Sequence, residues 1–240
     1  MNFTGKTVIV TGAAVGIGKA TAVGFAKLGA NVCIVDIDAD GLNFVTDEIK
    51  KINPNVSQYI CDISEEEKVQ AVTNDILKKY GRIDVPVNNA GLWRGNAPFV
   101  ETTSDIWKKR IDVNILGLMY FTHKVLPVMI ENEYGRIINI GSVAGYYGNR
   151  NMADYSMTKG AVSAFTKALA KEVADKGITV NNVVPGSVRN EGSVKETDMC
   201  YMNRRGELYE FADLIIFLAS DKAAYISGQD YRIDGCRRKN

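Results

Sequence analysis

The chain is poor in the residues that serve metal, disulfide and secretory chemistry. It has one histidine, His123, in 240 residues. A single imidazole excludes a zinc site built from several histidines and leaves one candidate base for a serine nucleophile. The four cysteines Cys33, Cys61, Cys200 and Cys236 lie far apart without a CxxC pair. That spacing reads as reduced thiols in a cytoplasmic protein, with no metal expected. Excess charge of either sign is also missing. The formal net charge is +1, so neither nucleic acid nor an anionic membrane is an expected partner. The basic tail Arg237, Arg238, Lys239 is too short to alter this and reads as a solvated terminus. No uninterrupted apolar run approaches the roughly 18 residues that span a bilayer. The first ten residues carry a strand pattern, not a charged segment followed by a signal core.

What remains is an ordinary soluble composition, 46% apolar and 24% charged, in a chain long enough for one large core and short for two domains. Apolar β-branched runs alternate with helical patterns. Strands are expected at Thr7–Thr11, Asn31–Asp36, Val56–Cys61, Ile83–Val87, Gly135–Gly141, Ile178–Val184 and Tyr231–Ile233. Helices are expected at Gly16–Leu28, Asp40–Ile52, Glu65–Tyr80, Ser104–Met129, Ala153–Ala174 and Leu208–Ala219. Several strands are nearly continuous in apolar residues, as strands covered on both faces are. The fold class is therefore α/β: a single-domain, Rossmann-type, doubly wound parallel sheet with helices on both faces. Ser187–Arg205 is irregular, with weak periodicity between a strand and a helix. It reads either as a disordered surface loop or as a substrate lid.

The first strand runs into Thr11-Gly12-Ala13-Ala14-Val15-Gly16-Ile17-Gly18 and then a helix. Glycines let such a turn approach a pyrophosphate, and the helix N-terminus offers it free N–H groups and the positive dipole end. Gly12, Val15, Gly16, Ile17 and Gly18 are accordingly candidate cofactor contacts. Asp36 ends the second strand, 18 positions past Gly18. A carboxylate there accepts hydrogen bonds from ribose hydroxyls and repels a 2′-phosphate. Neither Val15 nor Ile37 supplies a positive charge nearby, so NAD is favoured over NADP. Asp62 ends the third strand in the same way. Asp62 and Ile63 are candidate adenine contacts, with helix capping as the alternative for Asp62.

Tyr155 and Lys159 are four apart on a helical pattern and share one face. Ser142 ends the strand before them, where parallel sheets place ligand chemistry. A dehydrogenase must remove the alcohol proton as hydride leaves. A free phenol, with a pKa of about 10, needs help near neutrality. Lowering it by roughly three units takes about 4 kcal/mol. One ammonium at roughly 4 Å in an effective dielectric near 20 supplies about that much. Lys159 is the expected source of that field. The Ser142 hydroxyl is expected to hydrogen-bond the reacting oxygen.

Together these residues resemble the short-chain dehydrogenases/reductases, and the resemblance covers essentially the whole chain. Thr11–Gly18 is similar to the family's TGxxxGxG loop, Asn88-Asn89-Ala90-Gly91 to its NNAG motif, and Pro185-Gly186 to its PG turn beside the nicotinamide. Ser142, Tyr155 and Lys159 match its catalytic serine and YxxxK, and Asn114 its helix asparagine. The resemblance implies a hydride transfer between nicotinamide and a secondary alcohol or ketone, with Asn114, Ser142, Tyr155 and Lys159 catalytic. It implies that Asn114 helps hold a water linking the lysine to a proton relay. It also implies cofactor contacts at Asn89, Ala90, Gly91, Tyr155, Lys159, Pro185, Gly186 and Val188, and a homotetramer or homodimer joined through the two long helices. The C-terminal stretches Phe217–Asp221 and Ile226–Gln229 are closest to the 3-oxoacyl-carrier-protein reductase and sugar or polyol dehydrogenase group.

Three features depart from that pattern. Pro86 stands inside a central strand, where it removes a ladder donor. Asn190 replaces the threonine usual four positions past the turn glycine; its amide still donates and accepts, and it is kept as a nicotinamide contact. Ser187–Arg205 is short for an acyl-substrate lid. Of the remaining conspicuous side chains, Trp93, Tyr146 and Tyr147 read as pocket lining or rim packing. Trp107 reads as core or interface, His123 as structural, and Lys171 with Asp175 as a solvated helix pair. Two other functions fit less of the sequence. A nucleotide-binding sensor on the same fold has no need of Ser142, Tyr155 and Lys159. A hydrolase using Ser142 with His123 lacks GxSxG and leaves the YxxxK pair unexplained.

Overall fold

A computed structural model describes residues 1–93, 95–190 and 192–238. Glu191 of the irregular segment and Lys239 of the basic tail lie outside them. The elements in chain order are β1 (Thr7–Thr11), α1 (Gly16–Lys27), β2 (Asn31–Asp36), α2 (Ala39–Lys50), β3 (Val56–Ile60), α3 (Glu66–Tyr80) and β4 (Val85–Asn88). Then follow α4 (Ser104–Ile111), a π-helical turn (Asp112–Gly117), α5 (Leu118–Glu131), β5 (Gly135–Ile140), α6 (Val143–Tyr147), α7 (Ala153–Val173), β6 (Ile178–Pro185), α8 (Leu208–Leu218) and β7 (Asp230–Ile233).

All seven strands pair in parallel, in the order β3-β2-β1-β4-β5-β6-β7. The order reverses direction between β1 and β4, which opens a crevice at the carboxyl ends of the strands. The period-2 alternation of each strand feeds two cores. Val8, Val10, Val32, Ile34, Val85 and Val87 pack with α1, α2 and α8. Ile9, Cys33, Val35, Ile137 and Val180 pack with α3, α5 and α7. Both faces are thus covered, as the apolar strands predict. A buried polar chain crosses the sheet. Asn88 Nδ2 donates to Thr122 Oγ1 at 3.0 Å and Asn139 Oδ1 at 2.8 Å, and Asn139 Nδ2 donates to Thr166 Oγ1 at 2.9 Å.

Strand and helix boundaries shift by at most two residues from expectation, with one substantive change. The helix expected over Ser104–Met129 is three segments, and Asn114 sits in the π turn. Taken as one run, Ser104–Glu131 is long and apolar enough by length and composition to cross a membrane, with a best-window mean hydropathy of 1.4. The uninterrupted-run test missed it because polar residues interrupt the pattern. In the fold it packs against α3, α7, β4 and β5.

Pro86 sits within β4 without disrupting its pairing register. It pairs in register with Ile9, and β4 meets β5 only at Val87 and Asn88. The strand remains central and fully buried with one donor fewer. The described part of 187–205 is tied down by hydrogen bonds rather than left loose. Arg205 N donates to Lys195 O at 2.7 Å, Tyr201 N to Cys236 O at 2.9 Å, and Arg238 N to Met199 O at 3.0 Å. The expected Lys171–Asp175 pair does not form, because Asp175 pairs with Lys176 at 2.9 Å.

Candidate active site

The nucleotide end is shaped by close backbone approach. A Cβ on Gly18 would lie 2.1 Å from Gly12 O, and one on Gly12 would lie 2.8 Å from Ala90 Cα. Gly12 and Gly16 also have φ of +65° and +60°, where side chains are strained. These glycines bring the turn and the NNAG segment together. Thr11 Oγ1 accepts from Asn89 N at 3.1 Å and Ala90 N at 3.0 Å, and Asn89 Nδ2 donates to Thr11 O at 2.9 Å and Gly12 O at 3.0 Å. The family motif therefore divides its labour. Asn88 ties the sheet, while Asn89 pins the loop.

A cavity of about 740 Å³ runs along this edge. Gly12, Val15, Asp36, Asp62, Ile63, Asn89, Ala90 and Gly91 line it, with Trp93 at its half-exposed rim. Asp36 accepts from Ala14 N at 3.0 Å and Asp38 N at 3.1 Å, which holds its carboxylate at the strand tip. Asp62 accepts from Ser64 N at 3.0 Å and Ser64 Oγ at 2.6 Å; hydrogen bonding to Ser64 holds its carboxyl below the usual range. The capping residue of α3 is Glu65, so the helix-cap alternative for Asp62 falls. Gly16 and Gly18 do not line this cavity; they shape the turn instead.

A second pocket of about 310 Å³ shares Asn89 and Gly91 with the first. Ile17, Ser142, Tyr155, Lys159, Pro185, Gly186, Val188 and Asn190 line it. Thus the two clusters of candidate residues meet along one crevice. The residues suit a dinucleotide on two grounds. The first turn of α1 carries no side-chain cap and no acidic residue, which leaves its N–H groups for an anion. The crevice also has room at both ends. Among the described residues no group of three or more His, Cys, Asp or Glu could hold a metal ion.

At the catalytic end Ser142 caps α6, its Oγ accepting from Ala144 N at 3.1 Å, and it shares a pocket with Tyr155. Asn114 Oδ1 accepts from Leu92 N at 2.6 Å, and its Nδ2 donates to Leu92 O at 3.1 Å and Thr158 Oγ1 at 3.0 Å. A side chain committed to three partners accounts for the widened π turn at that point, a feature that gathers at functional sites. Lys159 is buried, and its Nζ donates to Ile140 O at 2.8 Å. Burial without a counter-ion lowers its proton affinity to about 8.

Burial raises the Tyr155 phenol above its ordinary range, and Ser142 and the Arg110 guanidinium pull the other way. The Lys159 ammonium donates to the Ile140 carbonyl. Arg110 was invisible to sequence reasoning, because an arginine after two lysines on a helix reads as a solvated face. Thr11 and Thr158 were given no role of their own, although Thr11 opens the glycine motif and Thr158 lies within YxxxK. Tyr146 and Tyr147 line neither pocket and instead stack with Arg232. Trp107 is half-buried, stacked on Phe99 with 5.0 Å between ring centroids, so it is not core. His123 is exposed on α5 and does not line the pocket that holds Ser142, so the hydrolase reading falls.

The family model described as short chain dehydrogenase matches residues 6–200. The chain belongs to this family. Among curated relatives it is similar to a 3-oxoacyl-[acyl-carrier-protein] reductase of Thermotoga maritima, 38% identical over 98% of both chains. It is also similar to a cyclohexanol dehydrogenase of Acinetobacter sp., 32% identical over 97% of this chain and 95% of the relative. The solved 3-ketoacyl-(acyl-carrier-protein) reductase of Brucella melitensis complexed with NADH superposes with a TM-score of 0.91 at 32% identity, covering 97% of this chain and 98% of that one. This short-chain dehydrogenase is a nicotinamide-dependent oxidoreductase acting on alcohol and ketone groups.

Proposed function

We propose that Tyr155 exchanges the proton at the substrate oxygen, with Ser142 orienting that oxygen, in an NAD-linked oxidation of a secondary alcohol or reduction of its ketone. The observation that carries this is that Ser142, Tyr155 and Lys159 line one pocket, which joins the Asp36 cavity through Asn89 and Gly91. When bound, the nicotinamide supplies or accepts the hydride. Gly12, Val15, Ile17, Asp36, Asp62, Ile63, Asn89, Ala90 and Gly91 hold the cofactor, with Gly16 and Gly18 shaping its turn. Pro185, Gly186, Val188 and Asn190 flank its reactive end. Lys159 and Asn114 complete the catalytic set, Asn114 tying the π turn to α7 through Thr158, and 187–205 covers the substrate. Asp36 supports NAD over NADP, because its carboxylate at the strand tip repels a 2′-phosphate.

The chain acts as a cytoplasmic homotetramer or homodimer on a small-molecule substrate, with no nucleic acid or membrane partner. Exposed Ile106, Met119 and Ile130 along α4–α5 and Met157 on α7 support assembly through these helices. The test is absorbance of the reduced nicotinamide with cyclic ketones and 3-oxoacyl thioesters, using NADH and NADPH side by side. NADH should give the higher kcat/KM, and Tyr155→Phe should bind cofactor with turnover cut by at least two orders of magnitude, the scale of lost acid–base catalysis (about 10²–10⁴-fold). A preference for NADPH would overturn the role of Asp36, and near-normal turnover of Tyr155→Phe would overturn that of Tyr155.

A further inference from the structure

The segment after β7 runs back over the irregular stretch 187–205 and pairs with it. Tyr201 N donates to Cys236 O at 2.9 Å, Met202 N to Gly235 O at 3.2 Å and Arg238 N to Met199 O at 3.0 Å, with Cys200 opposite Arg237 in an antiparallel bridge. The root of this segment sits on the Pro185-Gly186 turn, since a Cβ on Gly186 would lie 2.7 Å from Asp234 Cα. Two left-handed residues then turn the chain, Gly235 at φ +62° and Cys236 at φ +60°. Asp234 Oδ1 secures the turn by accepting from Cys236 N at 3.1 Å and Arg237 N at 3.3 Å. A non-glycine residue in that region costs energy and persists where its surroundings fix it. A Cβ on Gly235 would lie 3.0 Å from Cys200 Sγ, so the tail passes close over that buried thiol.

The two arginines that follow are half-buried and hold different parts of the chain. Arg238 Nη2 donates to Asn203 Oδ1 at 2.9 Å, and its guanidinium lies 5.0 Å from the Tyr201 ring centroid. Arg237 Nη2 donates to Asn149 Oδ1 at 3.1 Å. Asn149 lies between α6 and α7, and its N donates at 3.3 Å to the Oγ of Ser156, the residue after Tyr155. Neighbouring residues of an extended segment project to opposite sides, which lets consecutive arginines reach both places. The basic tail is therefore not the solvated terminus that its composition suggests.

We propose that residues 234–238 form a strap that sets the spacing between 199–203 and the loop before α7, which makes Arg237 and Arg238 specificity-determining positioning residues. The inference rests on 187–205 covering the substrate and on Tyr155 exchanging its proton. Neither arginine lines the pocket that holds Tyr155, so both act through the segments they hold. The strap's backbone hydrogen bonds fix Tyr201 and Met202, whose side chains are exposed on the covering segment. Held at one height, that segment closes over a compact ketone and collides with a bulky one. Released from the strap, it follows the size of the substrate, and the preference fades.

The test combines amide hydrogen exchange over 199–203 with kcat and KM for cyclohexanone and 2-decalone, both with NADH. Arg238→Ala should speed exchange of the Tyr201 and Met202 amides by about fivefold, the factor that one hydrogen bond of ordinary net strength sets on an opening equilibrium. It should lower the kcat/KM preference for cyclohexanone over 2-decalone by about as much, through KM, with kcat changed by less than about twofold. Arg238→Lys, which still donates to Asn203, should restore most of the preference. Arg237→Ala should act like Arg238→Ala. Asn149→Ala and the double variant Arg237→Ala/Asn149→Ala should match Arg237→Ala, because all three break one contact. The Kd for NADH should hold throughout, since the strap does not line the Asp36 cavity. Unchanged exchange, or an unmoved preference while kcat falls for both ketones, would overturn the inference. Failure of both arginine-to-alanine variants to fold would do so too, by making the tail a folding element. Faster exchange with an unmoved preference would overturn the covering role of 187–205 on which it rests. Loss of the Tyr155 assignment would show itself separately, as turnover surviving in Tyr155→Phe.

Discussion

Replacing Lys159 by methionine should make the protein more stable at neutral pH while disabling it. The lysine is buried, has one carbonyl partner at 2.8 Å, and releases its proton at about 8 instead of 10.5. Below about 8 the folded chain carries a buried ammonium that the unfolded chain would keep in water. That difference in proton affinity corresponds to about 3 kcal/mol of destabilisation. Between about 8 and 10.5 the unfolded state binds the extra proton, so stability rises with pH across that window, and above it the penalty is gone. Methionine removes the penalty and forfeits a charged hydrogen bond of roughly 1.5–3 kcal/mol. The expected net gain is up to about 1.5 kcal/mol at pH 7, a rise of up to roughly 5 °C in Tm, shrinking to near zero at pH 9.5. Urea unfolding at both pH values and one protein concentration measures it, with turnover assayed in parallel. A variant less stable than wild type at pH 7, or a difference that does not change with pH, would refute the reasoning. The gain with lost activity would be a direct instance of stability exchanged for function.

Other expectations follow from single contacts. Pro86→Val restores a ladder donor in a fully buried central strand and should raise stability by about 1 kcal/mol, seen as a higher urea midpoint at unchanged slope. Gly18→Ala forces a methyl to within 2.1 Å of Gly12 O and should raise the Kd for NADH more than tenfold by fluorescence titration. Asn114→Ala cuts three hydrogen bonds and should cost about 2–3 kcal/mol in thermal unfolding, with faster amide exchange across 112–117. Asp36→Ala should raise kcat/KM with NADPH relative to NADH in the ketone-reduction assay, because the carboxylate that repels a 2′-phosphate is gone.

Much of this enzyme was legible in the order of its residues. Apolar strands such as Thr7–Thr11 and Asn31–Asp36 declare themselves because both faces are covered, so no polar side chain interrupts them. The glycine turn, Asp36, Ser142, Tyr155 and Lys159 were legible for a related reason. Each is bound to an element end, and the parallel fold brings those ends to one crevice. Local geometry of this kind repeats wherever the same backbone turn is needed, so it leaves a short, readable motif.

Tertiary structure alone decided what the charges do. Lys159 and Tyr155 share a helix face, yet the ammonium is claimed by Ile140 O on a neighbouring strand. Arg110 pairs with Asp154 on α7 although 44 positions separate them. The widened turn at Asn114 likewise reflects partners on a loop and on α7. Electrostatic and hydrogen-bond effects depend on distance and burial in space, and neither has a period along the chain that a sequence pattern could register.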